Sequence, residues 1–134
     1  MRVSGGRIDR MPRYPGLTLR ILAKPSPAIG PGKAALVSHI HQSGSISAAA
    51  RAMGMSYRRA WQLVEALNAS FSKPVVLTAI GGRRGGGARV TPFGRKLIRD
   101  YRRMEDKASA AIARDLRRFS RNLRVSPGAR VPKR

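Results

Sequence analysis

Cysteine is missing from all 134 residues. Disulfides, thiolate nucleophiles and Cys-based zinc fingers are therefore excluded, and the composition suits a cytoplasmic protein without requiring one. Acids are nearly missing: 6 Asp and Glu stand against 28 Lys and Arg, a formal charge of +22 at pH 7. Self-repulsion of that size opposes compaction unless a polyanion neutralises it. Nucleic acid is the expected partner; an anionic membrane and a solvated surface with no partner are the alternatives. No apolar run approaches the ~20 residues of a membrane span. The opening "MRVSGGRIDRMPRYPG" is polar and lacks the apolar core of a secretory signal. Catalysis lacks its parts as well. His39 and His41 are two apart, hence on different faces of a helix, with no carboxylate cluster beside them, and no acid is paired with a nucleophile. The expectation is a non-enzyme with no metal, cofactor or membrane contact.

What is present is a 42% hydrophobic content, ordinary for a globular chain that buries a modest core. Residues 1–16 and 124–134 are rich in Gly, Pro and Arg without periodicity and read as flexible basic arms around one domain at 17–123. "LTLRIL" (Leu17–Leu22) alternates like a short strand, and the Pro-punctuated Ala23–Gly32 reads as loop. Lys33–Gly44 puts Leu36, Val37 and Ile40 on one helical face. Ser47 is the expected cap of a short helix, Ala48–Met53, and Ser56 the cap of another from Tyr57 to about Ser70. Lys73–Ile80 and Ala88–Thr91 read as strands around the loop "GGRRGGG" (Gly81–Gly87). Thr91-Pro92, a cap followed by proline at the first helical position, opens a helix expected to run to about Leu123.

The stretch "GSISAAARAMGMSYRRAW" (Gly44–Trp61) has the order of a helix-turn-helix. Steeply crossed helices need small side chains where they touch, which Ala50 supplies, with Ala60 and Leu63 answering from the second helix. Gly54 takes the left-handed conformation that redirects the chain, at a cost of ~1 kcal/mol or more to any residue with a Cβ. On a 3.6-residue wheel, Tyr57, Ala60, Trp61, Val64, Leu67 and Asn68 gather on one side, and Arg58, Arg59, Gln62, Ala66 and Ala69 on the other. The second side is cationic and hydrogen-bonding near its start and small beyond. Arginine reads guanine O6/N7 and Gln62 adenine N6/N7 in a major groove; the plainer reading of Arg58 and Arg59 is a solvated helix face.

A helix-turn-helix followed by a β-hairpin is a winged helix. Arg83 and Arg84 in the hairpin tip would lie along a phosphate strand or reach a minor groove. A nucleotide-phosphate loop would need a Lys-Ser/Thr and a following helix, and "GGRRGGG" has neither. The last helix carries an apolar stripe, Leu97, Tyr101, Met104, Ala108, Ile112, Leu116 and Phe119, at spacings of three and four. That stripe must be buried, either against its own domain or, as expected here, against a second subunit, which would also set two reading helices on successive turns of one DNA face.

In "GSIS" (Gly44–Ser47), "GMSYRRAW" (Gly54–Trp61), "GGRRGGGARVTPFG" (Gly81–Gly94) and "LTLRI" (Leu17–Ile21), the chain resembles the N-terminal DNA-binding domain of the ModE family of molybdate-responsive regulators, itself akin to the LysR-type winged helix. The likeness covers about Gly16 to Lys107. It implies a homodimer joined partly by the long helix and the first strand, gripping palindromic operator DNA through Ser56–Gln62 and the wing. Ser47, Ser56, Tyr57, Arg58, Arg59, Gln62, Arg83, Arg84 and Arg89 are the DNA-binding candidates. Full-length members add an oxyanion-binding domain with a Ser-Ala-Arg-Asn motif; Ser120-Arg121-Asn122 is a faint echo followed by too few residues for a domain, so no small-molecule effector domain is expected. The expectation is a mainly α winged helix-turn-helix with a small β-hairpin and a long C-terminal dimerisation helix. It would serve as a sequence-specific, nucleoid-associated regulator of transcription. A charge-driven nucleoid or RNA-binding protein is the alternative.

Overall fold

The structure is a computed structural model that describes residues 14–24, 27–79 and 87–124. Most of the expected N-terminal arm, the tail beyond Arg124 and the hairpin tip with Arg83 and Arg84 lie outside those residues.

The elements follow in the order β1 (Ile21–Leu22), β2 (Pro27–Ile29), α1 (Pro31–Ser43), α2 (Ile46–Ala52), α3 (Tyr57–Ser70), β3 (Val76–Ala79), β4 (Gly87–Val90), α4 (Pro92–Ala111) and α5 (Ala113–Ser120). Two antiparallel pairs, β1–β2 and β3–β4, frame the helices. The architecture is mainly α with a small β-hairpin, as the sequence predicts.

Three differences from expectation have physical causes. Only Ile21–Leu22 of the expected first strand is paired, and its partner is Pro27–Ile29, from the stretch expected to be loop. The period-two pattern of Leu17, Leu19 and Ile21 is kept, each more covered than its neighbours, but prolines limit the ladder to a short edge pair. The second helix begins a residue or two early: Ser45, not Ser47, is its N-cap, accepting from the Ala48 N–H at 3.0 Å. Either serine satisfies a spacing rule; Ile46, which packs into the core, decides in favour of the earlier start. The last helix is not continuous, since Ile112 leaves the helical region (φ −106°, ψ 8°) and α5 starts anew at Ala113.

The main core gathers Leu36, Val37 and Ile40 of α1, Ile46, Ala49 and Ala50 of α2, Ala60, Val64 and Leu67 of α3, and Val75, Val76 and Val90 of the hairpin. The expected inner positions of α1 are therefore confirmed, and Ala50 and Ala60 both lie in this core. A smaller cluster of Ile29, Ala34 and Tyr101 lies beside it, closed by Leu19 and Ile21. Gly44 (φ 72°) and Gly54 (φ 67°) both adopt the left-handed conformation, the first ending α1 and the second redirecting the chain between α2 and α3.

Thr91 fastens α4 to the hairpin. Its hydroxyl donates to the Pro74 carbonyl at 2.8 Å and accepts from the Gly94 N–H at 2.9 Å. Gly94 is buried so tightly that a Cβ there would sit 2.5 Å from the Val75 carbonyl oxygen.

Candidate nucleic-acid interface

Helix α3 is held by its inner side and displayed by its outer side. Ser56 caps it, its hydroxyl accepting from the Arg59 N–H at 3.0 Å, which fixes where the first turn begins. Ala60, Val64 and Leu67 are buried, while Arg58, Arg59, Gln62 and Ala69 are exposed. Ala66, expected outside, is half-covered. Among the described residues neither Arg58 nor Arg59 forms an ion pair. The only acid on α2 or α3 is Glu65, about two turns along from the first-turn cations, which it does not pair with.

Tyr57 corrects one wheel assignment. It was expected on the buried side but is 51% exposed. The Trp61 indole N–H donates to its hydroxyl at 2.6 Å, and Trp61 itself packs partly against the core. The reason is positional: Tyr57 is the first helical residue, and no earlier turn exists to cover it. The phenol thus joins Arg58 and Arg59 on the open side, orientated by the indole one turn along.

The hairpin pairs Val76 with Val90, Leu77 with Arg89, Thr78 with Ala88 and Ala79 with Gly87. It is placed from two sides. The Ala88 N–H donates to the carbonyl of Gly44 at 3.0 Å, fixing β4 to the end of α1. On the other side the Asn68 side chain of α3 grips the entry to β3: its oxygen accepts from the N–H groups of Val75 (2.8 Å) and Val76 (3.1 Å), and its amide donates to the Val76 carbonyl at 2.9 Å. Asn68 therefore sets β3 relative to α3. The signal for it in the sequence was one polar residue on an otherwise apolar helix side, which predicts a buried partner without saying which. Arg89 is exposed on β4, opposite Leu77, and Ser47 is exposed in the first turn of α2.

The acids lie elsewhere. Asp100 of α4 accepts from Lys96 at 2.8 Å and from Arg103 at 3.4 Å. The hydrogen bond from Lys96 is the main reason its carboxyl is held below the usual carboxylate range. Glu105 pairs with Arg102 at 3.0 Å, where the arginine is nearly covered. Among the described residues no group of three or more His, Asp or Glu is placed to hold a metal ion, and no helix is long and apolar enough to cross a membrane.

The expected dimerisation stripe divides in two. Leu97 packs on the main core of its own chain, and Tyr101 is buried in the smaller cluster, its hydroxyl donating to the Leu19 carbonyl at 2.6 Å. Farther along, Met104 is 42% and Phe119 62% exposed, with Ala108, Ile112 and Leu116 half-covered between them.

Residues 33–95 match the bacterial regulatory helix-turn-helix proteins of the lysR family. The chain is 42% identical over 107 residues to the molybdenum-pterin-binding protein MopB of Rhodobacter capsulatus, covering 80% of this chain and 38% of MopB. It is 35% identical over 79 residues to the molybdenum transport protein ModE of Azotobacter vinelandii, covering 59% of this chain and 29% of that protein. It is 41% identical over 71 residues to the DNA-binding transcriptional dual regulator ModE of Escherichia coli (strain K12), 53% of this chain and 27% of that one. The chain thus spans little more than a third of the length of these relatives at most. A solved LysR family transcriptional regulator overlaps with a TM-score of 0.48 at 17% identity, over 70% of this chain and 30% of that one.

Proposed function

We propose that this chain, whose residues 33–95 match the lysR-family regulatory helix-turn-helix proteins and which is 42% identical to MopB and 41% identical to ModE over part of its length, is a regulator of transcription that binds duplex DNA sequence-specifically as a homodimer. Proteins of that type are transcription regulators and not enzymes. The observation that carries the reading is the open first turn of α3: Tyr57, Arg58, Arg59 and Gln62 stand exposed on a helix whose other side is locked into the core. Such a helix enters a major groove with its N-terminal residues at the base edges. Arg59 or Arg58 takes guanine and Gln62 takes adenine, while Ser47, Ser56 and Tyr57 supply hydroxyls to flanking phosphates. Arg83, Arg84 and Arg89 of the wing lie on the backbone or in the minor groove. Met104, Ala108, Ile112, Leu116 and Phe119 form the face that meets the second copy. A partner of this kind places the chain at the nucleoid. The molybdenum and pterin in the relatives' names belong to those longer proteins.

The second reading, charge-driven binding without sequence preference, is favoured by the +22 formal charge. Selection from random duplex oligonucleotides near physiological salt separates the two: an enriched palindrome supports base reading, and a flat pool rejects it. On the enriched site, Arg59→Ala or Gln62→Ala relaxes preference by ~1–3 kcal/mol at one base pair, whereas Arg83→Ala weakens all sequences alike. Equal losses on specific and random duplexes for all three changes would end the claim.

A further inference from the structure

The cations of α5 are segregated from its apolar residues. Ile112, Leu116, Phe119 and Leu123 recur at intervals of three and four and share one side of the helix and its C-terminal turn. Arg114, Arg117, Arg118 and Arg121 recur in the same way and share the opposite side. All four arginines are exposed, and among the described residues none forms an ion pair. In α4, by contrast, Lys96 and Arg103 hold Asp100, and Arg102 holds Glu105. The one acid within α5, Asp115, lies at the border between its two sides. Arg124 follows at the end of the described residues, and the sequence continues with Arg130, Lys133 and Arg134.

Four guanidiniums on one side of an eight-residue helix and its cap repel one another, and a helix this short has little intrinsic stability to set against that. A row of phosphates removes the repulsion, and the guanidinium fork matches phosphate geometry. Along the chain, a whole helix separates this patch from the helix-turn-helix. Helix α4 starts at the base of the wing and, at 20 residues, carries α5 up to ~30 Å away, about nine base pairs of duplex. An anionic bilayer fits less well, because insertion requires an open apolar side, and the apolar side of this helix, where Phe119 and Leu123 are still open, is the one assigned above to the second copy.

We propose that the Arg114, Arg117, Arg118 and Arg121 side of α5 is a second polyanion-binding surface, which takes the phosphate backbone of duplex DNA outside the segment covered by the helix-turn-helix. This rests on the DNA-binding reading above. The test uses the full chain with all four arginines changed to glutamine (R114Q/R117Q/R118Q/R121Q), helix content being checked by circular dichroism. Affinity is measured against salt on a short duplex limited to the selected operator and on a longer one with the same operator and random flanks. On the longer duplex the variant's salt slope falls by about 2 to 4 and its affinity about tenfold or more near physiological salt. On the short duplex both change little, and the four-lysine variant retains most of the slope. Unchanged affinity and slope on the longer duplex overturn the proposal. So does an equal loss on both duplexes, which would mean that α5 acts through folding or pairing, and so does a loss confined to phosphatidylserine vesicles. Should the quadruple variant not fold, R114Q/R118Q and R117Q/R121Q each lower the slope by about half as much, and no change in either has the same overturning force. Arg59→Ala leaves α5 untouched, so failure of base reading shows there independently.

Discussion

Replacing Asn68 by alanine removes the clamp between α3 and the β3–β4 hairpin. Three hydrogen bonds are lost together, at 2.8, 2.9 and 3.1 Å. Each is worth about 1 kcal/mol net in a typical setting. The freed groups are not simply returned to water: Val75 is fully buried and Val76 nearly so, so their amides rehydrate only if β3 moves. The expected loss is therefore about 2–3 kcal/mol, a drop in Tm of about 10 °C or more for a domain of this size. Urea unfolding followed by far-ultraviolet circular dichroism measures it, with the midpoint falling and the slope m unchanged. Gln62→Ala is the control: Gln62 is exposed and its side chain bonds to none of the described residues, so the change should shift stability by no more than about 0.5 kcal/mol while changing base preference. Hydrogen exchange adds a local readout, because the β3–β4 amides should lose protection before those of α1. If Asn68→Ala unfolds within about 0.5 kcal/mol of the parent, the clamp does not hold the wing and the reasoning is wrong.

Gly94→Ala gains helix propensity yet places a Cβ 2.5 Å from the Val75 carbonyl oxygen. Overpacking should win by about 1–3 kcal/mol, visible as a lower urea midpoint, and an unchanged or higher midpoint would contradict the packing described. The Tyr101 phenol is pushed up to about 12, first by burial and then by the Glu105 charge beside it. A folded-state value above the unfolded one means that the native chain keeps its proton longer, so this contribution is complete below pH ~10 and declines as pH rises towards ~12. Unfolding midpoints measured across that range should fall more steeply in the parent than in Tyr101→Phe, and parallel curves would remove the claim.

Much of the helical part was legible because it rests on local rules. Capping serines, Gly44 as a helix end, the left-handed Gly54, and the 3.6-residue recurrence of Leu36, Val37, Ile40, Ala60, Val64 and Leu67 need no knowledge of distant residues. The same locality explains the errors. Ser45 and Ser47 are equivalent to a spacing rule, and only the burial of Ile46 separates them. Tyr57 fits the apolar side of an endless wheel, but a helix has a first turn, and there it is open to solvent. Pro27–Ile29 reads as loop until Ile21 is found opposite Ile29.

Of the candidate site, the sequence by itself determined the cationic first turn of α3, because charge and periodicity are properties of consecutive residues. It also determined the excess of cations over acids, which is composition alone. Tertiary structure decided which partners those residues meet. It put Asn68 on the wing, Tyr57 on Trp61, and Leu97 and Tyr101 into their own chain while leaving Met104 and Phe119 outside. An apolar stripe states that burial is required, and the distance at which the fold brings other surfaces against it determines where that burial is found.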